Sequence, residues 1–204
     1  MVSPADSPGT LKATAPTGGT SVAEIKGSSL LDPIEAIKRL GESELLKVTK
    51  HLSPETKHIF DQQIYKSNWY PLDAFTEFLD VYVREMAGGD RSVLMRRAER
   101  IIEAQLRGIY KIFIKFGSPG FVITRISAVH ATYFRGVQII PEVERNSATI
   151  KYVGFQKHHE LMECTILGFF RKALEISGAK HVTLKFTIPI SLGQRYSELT
   201  INWQ

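Results

Sequence analysis

Two adjacent histidines followed by an acid come closest in this sequence to the spacing of a metal centre. In the stretch "HHELME", His158 and His159 lie shortly before Glu163. A zinc site on a helix typically needs two histidines four residues apart. The position four residues after His159 is Glu163 instead of a second histidine. The spacing therefore disfavours a zinc ion, and we predict no metal ligands in this chain.

The other reactive residue types are isolated. Cys164 lies mid-helix beside Met162, which favours a buried, inert thiol. Ser118 in "FGSPG" lies between two helical patterns, where a helix cap is expected and a nucleophile elbow is not. There is no phosphate-binding glycine loop of either common spacing. The remaining histidines share no spacing typical of a metal site and are interpreted as surface or packing residues: His51, His58, His130 and His181. Because the sequence shows no candidate pair of nucleophile and base, we predict that the protein is not an enzyme.

A basic helix is the strongest candidate for a binding surface. Its pattern spans about residues 91–116, with an apolar stripe that recurs every three or four positions. Glu99 and Glu103 interrupt its basic face and allow pairs within the helix, such as Glu103 with Arg107. A solvated face is therefore favoured over a nucleic-acid reader, although a nucleic-acid-associated regulator remains the alternative function. The arginines retained as candidates for a partner surface are Arg96, Arg100 and Arg107.

Composition fits one soluble domain. The chain has 204 residues, 43% hydrophobic and 23% charged residues, one cysteine and a formal charge of +5. A single cysteine excludes an internal disulfide framework and fits a reducing compartment. The longest apolar runs are far shorter than the roughly 20 residues that a bilayer requires, and the start lacks the pattern of a signal peptide. These features predict a cytoplasmic protein without a transmembrane segment.

The chain divides into a tail and a folded body. Residues 1–29 are rich in Ser, Thr, Pro, Gly and Ala, and they offer too little apolar surface to offset chain entropy. We predict a flexible tail there and a single domain over residues 30–204. In the body, Asp32 with Pro33 and Ser53 with Pro54 read as helix starts.

The periodicity changes halfway along the body. Helical patterns run up to "FRG" at Gly136, and two hairpins separated by one helix follow. In the last part, Leu184 and Phe186 alternate with Lys185 and Thr187, which indicates a strand with one buried face. The predicted fold class is α+β, with a helical N-terminal half, then hairpin, helix and hairpin. These strands form an antiparallel sheet of about four strands covered by helices.

Several longer stretches resemble a known family. "LSPETKHIFDQQIYKSNWYPLDAF", "LMRRAERIIEAQLRGIYKIFIKFGSPGFVITR" and "YFRG" before a hairpin look like an uncharacterised domain family abundant in myxobacteria. The resemblance covers about residues 35–203. That family is similar in turn to 4-vinyl-reductase-type domains, in a superfamily with haem nitric-oxide sensors and TRAPP vesicle-transport subunits. The resemblance implies an α+β body that can enclose an apolar ligand for sensing or assembly.

Two departures limit what the resemblance implies. The C-terminal hairpin of 4-vinyl-reductase-type domains often carries cysteines, whereas here Pro189 and Ser197 lie near those places. The haem sensors bind propionates with Tyr-x-Ser-x-Arg, and the local match that begins at Tyr65 has Trp69 in place of the arginine and falls too early in the chain. We therefore predict no cofactor, neither haem nor a metal.

The stretch "HLSPETKHIFDQQIYKSNWYP" is interpreted as a capped helix and a corner. Tyr65, Trp69 and Tyr70 are large residues with polar tips, suited to packing while keeping one hydrogen bond. They are candidates for a ligand or partner surface, with a structural corner favoured over a pocket wall. The predicted function is a non-catalytic signalling or regulatory module that acts through a protein partner or homodimer, and through an apolar small ligand.

Overall fold

A computed structural model of the chain describes residues 22–106 and 118–204. The architecture is α+β, as predicted, with antiparallel sheets of three and four strands. The N-terminal part contains, in chain order, β1 (Glu24–Lys26), α1 (Gly27–Lys38), α2 (Glu42–Thr49), α3 (Pro54–Asp61), β2 (Trp69–Pro71), α4 (Leu72–Ala87) and α5 (Ser92–Leu106). The C-terminal part contains α6 (Pro119–Ala131), β3 (Phe134–Arg135), β4 (Gln138–Val143), β5 (Ser147–Val153), α7 (Met162–Ile176), β6 (Thr183–Ile188) and β7 (Ser197–Asn202).

The predicted tail includes residues that belong to a strand and a helix. Residues 24–29 belong to β1 and to the first turn of α1, and Ile25 at the centre of β1 is only 2% exposed. β1 lies between β2 and β3 in the three-stranded sheet, which the sequence patterns did not predict. The composition of residues 1–29 does not indicate this strand, because a strand of three residues needs only one buried apolar side chain and one such residue barely changes the composition. Residues 1–21 lie outside the described part of the chain.

Helix α1 begins earlier than its proline indicated. The helix starts at Gly27, so that Pro33 lies inside it instead of at its first position, and Pro33 is buried. Gly27 is required at this junction because a Cβ there would lie 2.1 Å from the carbonyl oxygen of Tyr65. Its backbone N–H donates to the Asn68 carbonyl at 2.8 Å, which fastens β1 to the corner.

The cap predicted for α3 is confirmed. The Ser53 hydroxyl accepts a hydrogen bond from the Thr56 backbone N–H at 3.3 Å. The same hydroxyl donates to Glu77 on α4 at 2.8 Å, and Glu77 also accepts from Thr56. The N-terminus of α3 is therefore fixed to α4 through one carboxylate.

The four-stranded sheet has the order β4-β5-β7-β6, entirely antiparallel, which confirms the predicted sheet. Leu184 and Phe186 on β6 are more buried than Thr183 and Lys185, as their alternation predicted. Helix α7 packs on β6 and lies along α5. The two helices meet closely at Gly168, where a Cβ would lie 2.3 Å from the Met95 carbonyl oxygen. No helix of the described residues is long and apolar enough to span a bilayer.

Candidate ligand pocket and a polar clamp beside it

An apolar pocket of about 430 Å³ lies between the N-terminal helices and the C-terminal part of the chain. This volume is within the range of small-molecule sites. Most of its lining is apolar or aromatic and comes from both parts: Ile25, Leu31, Phe75, Leu79, Leu94, Ile101, Tyr133, Phe134, Ile139, Tyr152, Met162, Ile166, Phe169 and Phe170. The cavity therefore has the size and the lining that suit an apolar small molecule.

Four charged residues also line the pocket. Asp32 and Glu35 come from α1, Lys66 from the corner before β2, and Arg97 from α5. Arg97 donates a hydrogen bond from Nη2 to the Asp32 carboxylate, and its side chain is 14% exposed against 49% for Asp32. The pocket is thus an apolar cavity with one largely buried guanidinium in its wall.

An aromatic cluster continues from the pocket towards β5. Tyr152 is 1% exposed, and its ring lies 5.7 Å from that of Phe155 and 6.2 Å from that of Phe186. Phe134 contacts Phe155 edge-on at 6.2 Å. Burial raises the pKa of the Tyr152 hydroxyl well above its ordinary value, so the phenol stays neutral.

A polar clamp joins the start of α4 to the turn before α7. The Nε2 atoms of His158 and His159 lie 2.9 Å and 2.6 Å from the same Oδ1 of Asp73. His159 is fully buried, whereas the side chains of His158 and Asp73 are more than half exposed. The His159 ring packs edge-on against Phe155 at 6.0 Å. The clamp is therefore in contact with the aromatic cluster that reaches the pocket.

The hydrogen bonds fix the proton on His159. The backbone N–H of Gln156 donates to Nδ1 of His159 at 2.9 Å, so Nδ1 must be unprotonated. In the neutral ring the proton is then on Nε2, which donates to Asp73. Burial lowers the pKa of His159, and the hydrogen bond with Asp73 opposes this effect without cancelling it. The clamp is a neutral imidazole that donates to a carboxylate.

This arrangement does not suit a metal ion, although Asp73, His158 and His159 bring three ligand atoms within 4.8 Å of one another. A metal on Nε2 of His159 would require the proton to move to Nδ1, where the Gln156 N–H already points. Metal-bound histidines instead donate from their second nitrogen. The prediction that the chain holds no zinc remains a prediction, and the tautomer of His159 now supports it.

Glu163, the acid of the "HHELME" stretch, is not part of the clamp. Its Oε1 accepts a hydrogen bond from the Ile190 backbone N–H at 2.6 Å, and burial raises its pKa. Cys164 is half-buried, and burial raises the pKa of its thiol. Both groups have the properties of structural residues.

The three aromatic residues predicted as a surface lie at the corner between α3 and α4 and do not line the pocket. The Tyr65 side chain is 57% exposed, and its backbone N–H donates to the Tyr70 hydroxyl at 2.9 Å. Trp69 is half-buried beneath two cations, with Arg135 at 4.1 Å and Lys26 at 5.5 Å from its ring centroid. The corner therefore carries an aromatic and cationic surface.

The predicted arginines lie elsewhere. Arg96 and Arg100 are exposed on α5, away from the corner, and Arg96 pairs with Asp90 at 3.0 Å. Arg107 lies outside the described residues. The five described residues of the predicted site therefore do not form one cluster, and among the described arginines of α5 it is Arg97 that lines the pocket.

No local pattern predicts which residues form the pocket and the clamp. Asp73 and His159 are separated by 86 positions, so no local spacing connects them. The one signal that marked Arg97 was its place beside Ala98 and Leu94 in the apolar stripe of the helix.

No family model and no curated protein match the sequence. The fold matches those of solved H-NOX proteins. A structure of the S. oneidensis protein in the Fe(II)NO state has a TM-score of 0.62 at 14% identity, covering 88% of this chain and 99% of that one. The K. algicida protein in the unliganded Fe(II) state has a TM-score of 0.64 at 14% identity, and the match covers 88% of this chain and 96% of that one. An oxygen-binding H-NOX domain has a TM-score of 0.57 at 12% identity, and the match covers 88% of this chain and 95% of that one. At these identities the comparison shows an H-NOX-like fold.

Proposed function

We propose that the protein is a non-catalytic, cytoplasmic regulatory module that senses an apolar small molecule. The observation that carries the proposal is the apolar pocket of about 430 Å³ between the N-terminal and C-terminal parts. A ligand there contacts α1, α4 and α5 on one side and β5 and α7 on the other. A ligand that fits one packing of the two parts better than another shifts the equilibrium between them, which is the step that a sensor needs.

The H-NOX-like fold supports sensing and also raises the question of haem. The similar structures hold Fe(II) with nitric oxide or bind oxygen, and haem distortion is studied in that family. Haem iron takes histidine, cysteine, methionine or tyrosine as an axial ligand. The described lining residues include no histidine or cysteine. The ligand types that are present are Met162, which is fully buried in the core, Tyr133, and Tyr152, whose phenol burial keeps neutral.

The charges on the lining also fit haem poorly. Asp32 and Glu35 offset the charges of Lys66 and Arg97, so the described lining has no net positive charge to balance two propionates. Because the described lining offers no histidine or cysteine and no net positive charge, we propose that the pocket takes an iron-free ligand. His130 follows the lining residue Val129 on α6, and its side chain lies outside the described part. It is the residue to change in a haem test.

We expect no haem complex. When purified protein is mixed with equimolar haemin and passed through a desalting column, the protein fraction should contain no Soret band. The spectrum should be the same for wild type and His130→Ala. A sharp Soret band in the wild type that disappears in His130→Ala would instead make the protein a haem-based sensor and overturn the proposal of an iron-free ligand.

The ligand-sensing proposal itself is tested by mass spectrometry. Purified protein should show a mass above that of the polypeptide under native conditions, and the polypeptide mass alone after denaturation. Phe169→Ala and Leu79→Ala open the pocket wall, whereas Leu192→Ala changes an exposed side chain, 58% accessible, outside the pocket. The added mass should fall in the first two variants only. Equal retention in all three variants would place the ligand elsewhere.

We further propose that the protein forms a homodimer, or binds a protein partner, through the aromatic corner. Trp69 lies on β2 with Lys26 and Arg135 over its ring, and Tyr65 is exposed beside it. Because Trp69 is half-buried, Trp69→Ala should cost about 1–2 kcal/mol of stability, less than the roughly 3–5 kcal/mol of a core tryptophan. Association should weaken while the monomer stays folded.

Light scattering over a concentration series measures this effect. Leu46→Ala, which shortens a 64% exposed side chain on α2, is the matched control. A wild-type chain that stays monomeric at high micromolar concentration, with no partner recovered in a pull-down, contradicts the proposed association.

A further inference from the structure

The wall of the pocket contains a cation where an apolar residue would be expected. On α5, Leu94, Ala98 and Ile101 share one face, and Arg97 belongs to the same face. Its side chain is 14% exposed, whereas the neighbouring Arg96 is 54% exposed. Long charged side chains are rarely buried to this degree without partners. The hydrogen bonds that Arg97 makes, and those it leaves unmade, therefore bear on what the pocket binds.

Arg97 has more donors than acceptors around it. A guanidinium carries five N–H donors in a planar fork. In the part of the chain that the structure describes, only Nη2 is matched to an acceptor, the Asp32 carboxylate. Arg96 instead donates to both Ser92 and Asp90 at the surface. Arg97 thus has capacity for a second acceptor, and the pocket is the space beside it.

We infer that the ligand of this pocket is an amphipathic carboxylic acid, whose carboxylate binds Arg97 and whose apolar chain lies against Phe75, Leu79 and Phe169. This inference rests on the proposed ligand-sensing function and names the chemical class of the ligand. The planar guanidinium matches a carboxylate in a bidentate geometry. The alkyl chain then fills a cavity lined largely by apolar side chains.

The charges near the pocket select a single negative charge. Lys66 adds a second cation, whereas Asp32 and Glu35 would repel a doubly charged phosphate. A primary amine would leave the free donors of Arg97 unmatched and place two cations together. An alcohol would gain one weak hydrogen bond. Of these four groups, the carboxylate is therefore expected to bind most tightly.

The test compares three alkyl chains that differ only in the terminal group. Dodecanoic acid, dodecanol and dodecylamine are titrated against the full-length protein, each below its critical micelle concentration, and displacement of the neutral dye Nile red is measured. Variants are Arg97→Met, which keeps an unbranched apolar side chain, and Asp32→Asn, which removes the competing carboxylate. Arg96→Met on the same helix is the control, since Arg96 does not line the pocket.

In the wild type, the acid should bind at least about tenfold more tightly than the alcohol, as expected for a charged hydrogen-bonded pair. Arg97→Met should abolish this preference and leave dodecanol binding within about twofold. Asp32→Asn should tighten binding of the acid only, and Arg96→Met should change nothing. If Arg97→Met does not fold, the tighter binding of the acid predicted for Asp32→Asn still tests the inference.

The outcomes separate this inference from the proposed function. If Nile red and all three chains fail to bind, the apolar ligand pocket itself is wrong. If acid and alcohol bind equally and Arg97→Met has no effect, the proposal of an apolar ligand pocket is retained and the inference of a carboxylic acid ligand is wrong. A preference for the amine would assign the ligand head to Glu35 and Asp32, and would also overturn the inference.

Discussion

A chain that begins at residue 30 should lose cooperative folding, whereas a chain that begins at residue 22 should melt within a few degrees of the full sequence. The first truncation removes β1, the central strand of the three-stranded sheet. It also removes hydrogen bonds from Lys26 to Tyr133 and from Gly27 to Asn68, at 2.9 and 2.8 Å. The second keeps all of them.

The cost of losing β1 is large compared with typical domain stability. Removing the buried side chain of Ile25 alone should cost about 2–5 kcal/mol, against about 5–15 kcal/mol for a whole domain. The three-stranded sheet would also be divided into two separate strands, since β2 and β3 pair only with β1 among the described strands. Circular dichroism melting curves measure the difference.

Two point variants make the same test without truncation. Ile25→Ala should destabilise by several kcal/mol. Val22→Ala, at a side chain that is 67% exposed, should change stability by less than about 0.5 kcal/mol. A chain starting at residue 30 that melts like the full sequence would show that β1 is dispensable, as the composition of residues 1–29 first indicated.

Local sequence patterns predicted those parts of the fold that depend on local physics. The cap at Ser53 and the alternation at Leu184 and Phe186 are encoded within a few positions, and both were predicted correctly. β1 was missed because its stability comes from β2 and β3, which lie about 45 and 110 positions away. A three-residue strand has no periodicity of its own to read.

The candidate site was beyond local patterns for a related reason. The pocket wall draws residues from α1, α4, α5, β5 and α7, which are far apart in the sequence. Each helix shows an apolar stripe, but no local pattern indicates that the stripes enclose a cavity. The basic helix was noticed for Arg96 and Arg100, which face solvent. Arg97 lies on the apolar stripe of the same helix, but its burial in the pocket wall is a property of the packed fold.

Replacing His159 should remove a pH dependence as well as stability. Burial lowers the pKa of His159, so the folded state resists protonation while the unfolded chain takes up a proton near its ordinary pKa of about 6.5. The contribution of the neutral ring is therefore fully present above about pH 6.5. It decreases as the pH falls through the lowered pKa, by at most about 1.4 kcal/mol per pH unit.

The geometry explains why the charged form is disfavoured. A proton on Nδ1 of His159 would point at the Gln156 N–H, whose hydrogen bond to that nitrogen is 2.9 Å long. Protonation must break this bond, although it leaves the donation from Nε2 to Asp73 intact. The Asp73 carboxyl cannot supply the same dependence near neutral pH. Burial raises its pKa, and the hydrogen bonds from His158 and His159 outweigh that effect, so its pKa is lowered below 3.8.

Urea unfolding of wild type and two variants between pH 5 and 8 tests this account. At pH 8, His159→Gln should cost about 2–4 kcal/mol, because a fully buried ring and its two hydrogen bonds are lost. His158→Gln should cost less than about 1 kcal/mol, since that side chain is 57% exposed. The stability of His159→Gln should fall less steeply below pH 6.5 than that of the wild type.

The comparison isolates one group because every other histidine is unchanged in His159→Gln. Parallel pH profiles for wild type and His159→Gln would show that His159 does not titrate differently in the folded and unfolded states. A profile that flattens in His158→Gln while that of His159→Gln stays parallel to the wild type would instead assign the coupling to the exposed ring. His159 packs on Phe155, and Phe155 contacts Tyr152 in the pocket lining at 5.7 Å. Loss of the hydrogen bond from the Gln156 N–H to His159 at low pH should therefore also weaken Nile red binding in the wild type.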